Sequence, residues 1–555
     1  MSHDETTPEG GVHTVPPAPA KRRRALWVAT GVAGLTGVVG LAALGGLAAR
    51  DDPSDDAQRL SDQHSATARQ NVSDAGRAQD EGRNADEDAE RHGGQDPGGE
   101  DEWSGQDDWS AGGGRADGKG EDRRDAEQAR VQDVPCDPDR LIAAITRANA
   151  DNGGTLKLAR GCTYTLTVNN GPGGSGLPPI TQNITIKGED STLVRAANAA
   201  PFRFFDVVSG GHLRLADVTL TGGQAPQGGA IRVASGGAAD LEKAKLVNNN
   251  AIALIGTGGA VDNAGTTTLD HTTVTDNAAV LAGGGINNTG LLKVSDSKIA
   301  GNAAGAAGGA INNFTGTVVV HKTAITGNRS VGAGGGIASE GGIVNLDDTE
   351  VTDNTTGVTG GGIGVLNSQL TLRHSTVARN ASVGGGGGIA NTSGLLLSST
   401  VTIEDSKIAE NLTDGIGGGG ILNVDLTPAG PGGTASLTVR NSEIVKNKAT
   451  LGGGIRNING TVALTNAKIV NNTALAPNGG GGINTNTNIT AVDPTTVIVG
   501  NRPNNCTGTV TNCFGPLPPS GGRGPTPSPG PPPRRPIRRA VAPPPGAAYR
   551  MWGFF

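Results

Sequence analysis

Across residues 228–501 the apolar positions alternate with polar ones instead of recurring every three or four. Leu292 and Val294 point one way and Lys293 and Ser295 the other, and Ile299 follows after a short polar break. The frame returns with Val318, Val320 and Ile325, with Val344, Leu346 and Val351, and with Leu370, Leu372 and Val377. It continues through Val401, Ile403 and Ile408, then Leu437, Val439 and Ile444, and then Val462, Leu464 and Ile469. Period-two alternation rich in Val, Ile and Thr predicts half-buried strands, and no helical run interrupts it.

Two phrases keep step with these strands. One is a glycine run closed by Ile or Val, with anchors at Ile231, Val261, Ile286, Ile311, Ile337, Ile363, Ile389, Ile421, Ile455 and Ile483. The other is apolar-x-x-Asn, which places Asn249, Asn277, Asn302, Asn328, Asn354, Asn380, Asn411, Asn447, Asn472 and Asn501. A period of about 25 residues predicts a solenoid whose turns each hold three short strands. Stacked hairpins would not put the same residue at the same place in every unit. Coiling brings equivalent residues about 4.8 Å apart in parallel ladders, where each asparagine can bond the next. The expected fold is an all-β, right-handed parallel β-helix of ten or more rungs. The glycines suit corners of positive φ or close backbone approach. The longer periods after Ile389 and Ile421, with Pro428–Gly433 inserted, are expected to be loops on one face.

The paired phrases resemble the repeat of the chlamydial polymorphic outer membrane proteins, which use Phe where this chain has Ile, Leu or Val. The resemblance covers residues 228–501. The segment Cys136–Asn149, with Thr155–Leu158 and Gly161–Leu166, is similar to the start of many bacterial surface β-helix proteins, the CSLREA type. Together these likenesses imply a secreted or surface-displayed solenoid of the pectin-lyase-like superfamily. They imply no activity, because that fold hosts enzymes and inert scaffolds alike. The membrane barrel of the chlamydial family has no counterpart after Cys513, and no Leu-Pro-x-Thr-Gly sorting motif is present, so anchoring falls to the N-terminal segment.

Composition divides the remainder. Residues 1–24 are polar and end in Lys21-Arg22-Arg23-Arg24, and residues 25–49 run 25 positions without a charge. At about 1.5 Å per residue that run exceeds a hydrocarbon core of about 30 Å. It reads as a single transmembrane anchor with the N-terminus inside, or as a signal segment whose cleavage would release the chain. Residues 50–133 form a disordered acidic linker, with 24 Asp and Glu against 10 Lys and Arg from residue 51 onward. The β-helix with its cap is assigned to residues 134–514, and a disordered Pro-rich tail to residues 515–555. A helix over Leu141–Ala150, N-capped by Asp139, is placed to cover the first rung, with Phe202, Phe204 and Phe205 plugging the coil beneath it. The coil body is near neutral and offers no basic stripe for nucleic acid.

Candidate chemistry is sparse. Export would put Cys136, Cys162, Cys506 and Cys513 in an oxidising compartment, where local disulfides are expected at the two ends of the coil. No CxxC pair or His cluster accompanies them as a metal site would require. One register, three residues before the apolar residue of each apolar-x-x-Asn phrase, carries Lys243, His271, Asp296, Lys322, Asp348, His374, Asp405, Asn441 and Asn466. Stacking is expected to set His271 beside Asp296, Lys322 between Asp296 and Asp348, and His374 between Asp348 and Asp405. The row reads as a charge-complementary ladder on a solvated turn; a carboxylate–histidine site for metal or sugar is the alternative. The Asp347–Asp348 pair looks weak, because adjacent strand residues face opposite ways. Between Leu213 and Asn501 the only aromatic residue is Phe314, against the aromatic platforms of sugar clefts. No catalytic, cofactor-binding or metal residue is therefore singled out. The expected role is a monomeric, non-catalytic surface solenoid that holds the membrane through residues 25–49 and contacts wall polysaccharide or a surface partner. A polysaccharide lyase or hydrolase and a purely structural spacer are the competing readings.

Overall fold

The computed structural model describes residues 131–170, 174–394, 397–426, 434–489 and 491–513. The apolar run 25–49, most of the acidic linker, the insertion 428–433 and the tail from residue 515 lie outside the described residues. Among the described residues no helix is long and apolar enough to cross a membrane.

The chain is an all-β parallel solenoid of about fourteen turns. One full turn shows the plan. Ile311–Phe314 lies in a 12-stranded sheet. Thr317–His321 and Ala324–Thr326 follow in two adjoining columns of a 25-stranded sheet, and Arg329–Ser330 belongs to a 10-stranded sheet. The two columns count as one sheet because Asn183–Arg195 and His212–Thr221 run through both. Each strand pairs in parallel with its equivalent one turn away, as Ile311 with Ile337 and Val320 with Leu346. The two-residue strand after the ladder asparagine is a fourth element where three were expected.

The anchors line a shared interior. All ten residues from Ile231 to Ile483 have no exposed surface, and they stay in register through the lengthened turns, Ile389 on Ile421 on Ile455. Burial of each such side chain contributes roughly 1.5–3 kcal/mol. The ladder asparagines are also buried. In Asn328 the backbone N–H and Nδ2 both donate to Asn354 Oδ1, at 2.9 and 3.0 Å, and Nδ2 also donates to the Ile299 carbonyl at 3.0 Å. The same trio recurs from Asn249 to Asn472. At the end of the row Asn501 donates to Asn505 Oδ1 at 3.1 Å, a residue from the chain's own final loop.

A second asparagine row, not foreseen from the sequence, lies two residues past the anchors. Nδ2 of Asn263 donates to Asn288, and Asn288 to Asn313, at 2.7 and 2.8 Å; Asn313 donates to Ser339 Oγ at 3.1 Å. Asn391, Asn423 and Asn457 resume it at 2.7 Å spacings. The gap is Val365, which pairs with Ser339 before it and Asn391 after it. A valine cannot donate, and Asn391 Oδ1 is accordingly buried without a hydrogen-bond partner.

Glycine is demanded where the run begins. Gly334 has φ +60°, and a Cβ there would meet the Ile337 carbonyl oxygen at 2.1 Å. The N-terminal boundaries move from the expected ones. Val131–Val134 is already a strand, pairing with Thr155–Leu158, so the ordered coil begins inside the segment read as linker. The helix spans Pro138–Ala150 and is capped by Asp137, whose Oδ1 accepts from the Asp139 N–H at 2.8 Å. Asp139 is instead a first-turn residue, because Pro138 takes the first helical position and sets the start two residues earlier. Leu141, Ala144, Ile145 and Ala148 join the core, as do Phe202, Phe204 and Phe205. The disulfides Cys136–Cys162 and Cys506–Cys513 are both formed.

Candidate functional site

The row of charged residues singled out in the sequence is a corner. Lys243, His271, Asp296, Lys322, Asp348, His374, Asp405, Asn441 and Asn466 all have φ between 45° and 51°. A single left-handed residue redirects the chain from one column of the large sheet into the next. Asn and Asp tolerate that conformation best among side-chain-bearing residues. At seven of the nine a Ser or Thr follows at once, Thr272, Ser297, Thr323, Thr349, Ser375, Ser406 and Ser442, all buried; Ala244 and Ala467 follow the other two. Ser375 Oγ accepts the Thr349 N–H at 3.1 Å and donates to the Arg373 carbonyl at 2.6 Å, and the neighbouring turns repeat the pair. These hydroxyls fix the corner from beneath.

The expected pairing along the corner row is largely not formed, because Lys243, His271 and His374 instead take a carboxylate at the last strand position before a corner. His271 lies 3.0 Å from its own neighbour Asp270, not on Asp296. Lys243 likewise takes Glu242 at 2.9 Å. Among the described residues Lys322 makes no ion pair with Asp296 or Asp348. Only Asn466 and Asn441 bond along the row, at 3.1 Å. The ladder of charge complementarity runs one residue earlier, on the last outward position of the strand. There Ser295 donates to Asp270 at 2.8 Å, and Arg373 and Arg440 flank Glu404 at 3.0 and 3.4 Å.

Four side chains meet where the two rows join. Asp347 lies between His321, at 3.2 Å, and His374, at 3.0 Å from the other oxygen. Asp348 turns toward them from its corner, so that His321, Asp347 and Asp348 bring one donor atom each within 4.8 Å of one another. The expectation that Asp347 and Asp348 face apart therefore fails; alternation holds only while the backbone stays extended, and φ of +48° at Asp348 breaks it. Partial burial tends to raise the Asp347 carboxyl, but the hydrogen bond from His374 and the charge of both imidazoles outweigh it, and the net shift is downward. The hydrogen bond to Asp347 in turn raises His374.

A second polar region covers the outer face of the anchor sheet. Arg232 grips Asp206 with two bonds, at 2.8 and 3.0 Å, and Asn312, Asn287 and Asp262 follow as a relay at 2.9 and 2.8 Å. Burial pushes the Asp262 carboxyl up despite hydrogen bonds from Asn287 and Thr257. Beyond this relay the row turns small, through Ala338, Gly364 and Ala390. There a shallow recess of about 30 Å³ opens against Ala307, Ala333 and Thr359, with Glu340 at its edge. Burial raises the Glu340 carboxyl. Farther on, Arg456 is half-buried with its Nε unpartnered, and burial lowers its pKa. None of these residues was singled out from the sequence; Arg232, Asp262, Asn287, Asn312 and Arg456 lie one position past an anchor, and Glu340 three.

No family model and no curated protein matches the chain. Among solved structures, the Dettilon tailspike protein gp208 is similar at 12% identity and a TM-score of 0.34, over 71% of this chain and 70% of that one. The A-module of the Azotobacter vinelandii mannuronan C-5 epimerase AlgE6 is similar at 12% identity and 0.32, over 65% and 94%. That of AlgE4 gives 11% and 0.28, over 64% and 95%.

Proposed function

We propose that the chain is an exported, surface-displayed, non-catalytic β-solenoid that lays the outer face of its anchor sheet against a wall polymer or another envelope component. The supporting observation is the form of that face. Small residues on three successive turns leave a shallow trough beside a parallel column of bridges, open along the coil and not enclosed around a substrate. Pockets that engulf small substrates are typically ten times larger or more. Arg456 and Glu340 give the face charge of both signs. The repeat resemblance to outer membrane proteins and the apolar run 25–49 support display at the envelope, with residues 50–130 as the spacer.

Hydrolysis is the competing reading, and one observation favours it: Asp347 and Asp348 bring a carboxylate oxygen each within 4.8 Å of the other, and hydrolases of sugars use paired carboxylates. The two stand on a convex corner, however, with Asp347 already engaged by both histidines. The test is to titrate the full chain against an array of acidic and neutral polysaccharides, and to assay the same panel for new reducing ends and unsaturated uronate. Binding that is lost in Ala338→Arg, with melting unchanged and no turnover, is the expected result. Turnover abolished by Asp348→Asn would overturn it.

A further inference from the structure

We propose that His321, Asp347 and Asp348 form a binding site for a divalent transition-metal ion of the zinc class, with His374 as the residue that orients Asp347. The site is independent of the proposed polymer-binding face. Its donors already converge: a ring nitrogen of His321 and one oxygen of each aspartate lie within 4.8 Å of one another. A tetrahedral ion with bonds of about 2.1 Å needs donors about 3.4 Å apart. Exposed side chains reach that by small rotations. The backbone beneath them is fixed. His321 and Asp347 are paired in register, Asp348 N–H is held by the Arg373 carbonyl at 3.2 Å, and the buried Thr349 hydroxyl bonds the Asp347 carbonyl at 2.9 Å.

Among the described residues no lysine or arginine is ion-paired with Asp347 or Asp348. Arg373 pairs in register with Asp347 but turns away to Glu404, at 3.0 Å. His374 stands 3.0 Å from the far oxygen of Asp347, and a hydrogen-bonded carboxylate of this kind is how metal sites orient their ligands. Imidazole with two carboxylates suits zinc, cobalt or nickel; calcium and magnesium prefer all-oxygen sets. No other place among the described residues gathers three such donors.

The experiment is calorimetric titration of the untagged full chain with ZnCl2 and, separately, CaCl2, alongside the visible spectrum of the Co²⁺-loaded protein. One zinc site is expected, with no calcium heat at the same concentrations and a cobalt band typical of low coordination number. His321→Ala and Asp348→Asn should abolish that site, and His374→Ala should weaken it by about 10–100-fold. His271→Ala, on an equivalent corner with a single aspartate partner, should leave it intact. Asp348, His374 and His271 are exposed and His321 is half-buried, and melting curves establish that the coil is kept. Zinc heat and cobalt spectra unchanged in His321→Ala and Asp348→Asn would overturn the assignment, as would the absence of a zinc site in the wild-type chain.

Discussion

Asn354→Ala tests whether the buried amide row holds the coil together. The side chain has four hydrogen bonds. Its Nδ2 donates to the Ile325 carbonyl and to Asn380 Oδ1 at 2.9 and 3.0 Å, and its Oδ1 accepts the Asn328 N–H and Nδ2 at 2.9 and 3.0 Å. Two of these losses are softened, because Asn328 Nδ2 keeps the Ile299 and Thr326 carbonyls and Asn380 Oδ1 keeps the Asn354 N–H. The other two strip a buried N–H and a buried carbonyl of their amide partner, at about 1–3 kcal/mol each. The expected loss is therefore about 2–6 kcal/mol. Because a solenoid can open locally, urea unfolding followed by circular dichroism should be joined to hydrogen exchange across residues 320–360. The control is Asn345→Ala, on an exposed strand position of the same turn. Loss below about 1 kcal/mol, or no more than that of the control, would refute the reasoning, as would exchange that quickens evenly along the whole coil.

Val365→Asn should be tolerated to within about 1 kcal/mol of the parent in thermal melts, since it restores a donor to Asn391 Oδ1. A buried Val→Asn elsewhere typically costs several times that. Glu340→Gln should stabilise the chain at neutral pH. Burial raises the folded-state pKa above the unfolded value of about 4.3, so the parent loses stability as pH rises through the interval between them. The two proteins should melt alike below pH 4 and separate above it; a constant gap across pH would contradict this. Lys322→Asn should raise stability by about 0.5–1 kcal/mol in urea titrations, since Lys is poorly suited to φ of +45° and makes no ion pair with either neighbouring corner carboxylate.

What could be read from the chain alone was whatever repeats. The anchors, the first asparagine row and the parallel stacking follow from residues that recur at a fixed distance, and the structure places them as the spacing requires. The second asparagine row was equally present, as Ile-x-Asn at 286–288, 311–313 and 389–391. It passed unnoticed because Ser339, Val365 and Thr485 interrupt it. The Asp347–Asp348 pair was discounted for a different reason. Reading strands as unbroken alternation assigns opposite faces to Asp347 and Asp348, and only the left-handed corner reverses that. Likewise Arg329–Ser330 is too short to show any alternation, and Pro138 moved the helix start away from the residue that composition favoured.

A coil made by repetition carries no instruction for where to stop, and every amide in its long row points the same way. The final turn would thus present vacant donors that a second molecule could take up, continuing the stack into a fibre. Asn505 removes that invitation. It folds back to occupy the place of the next turn, on a segment joined by Cys506–Thr507 to the anchor sheet and tied by the disulfide to Cys513. The length of the solenoid is in this sense decided by a short terminal loop.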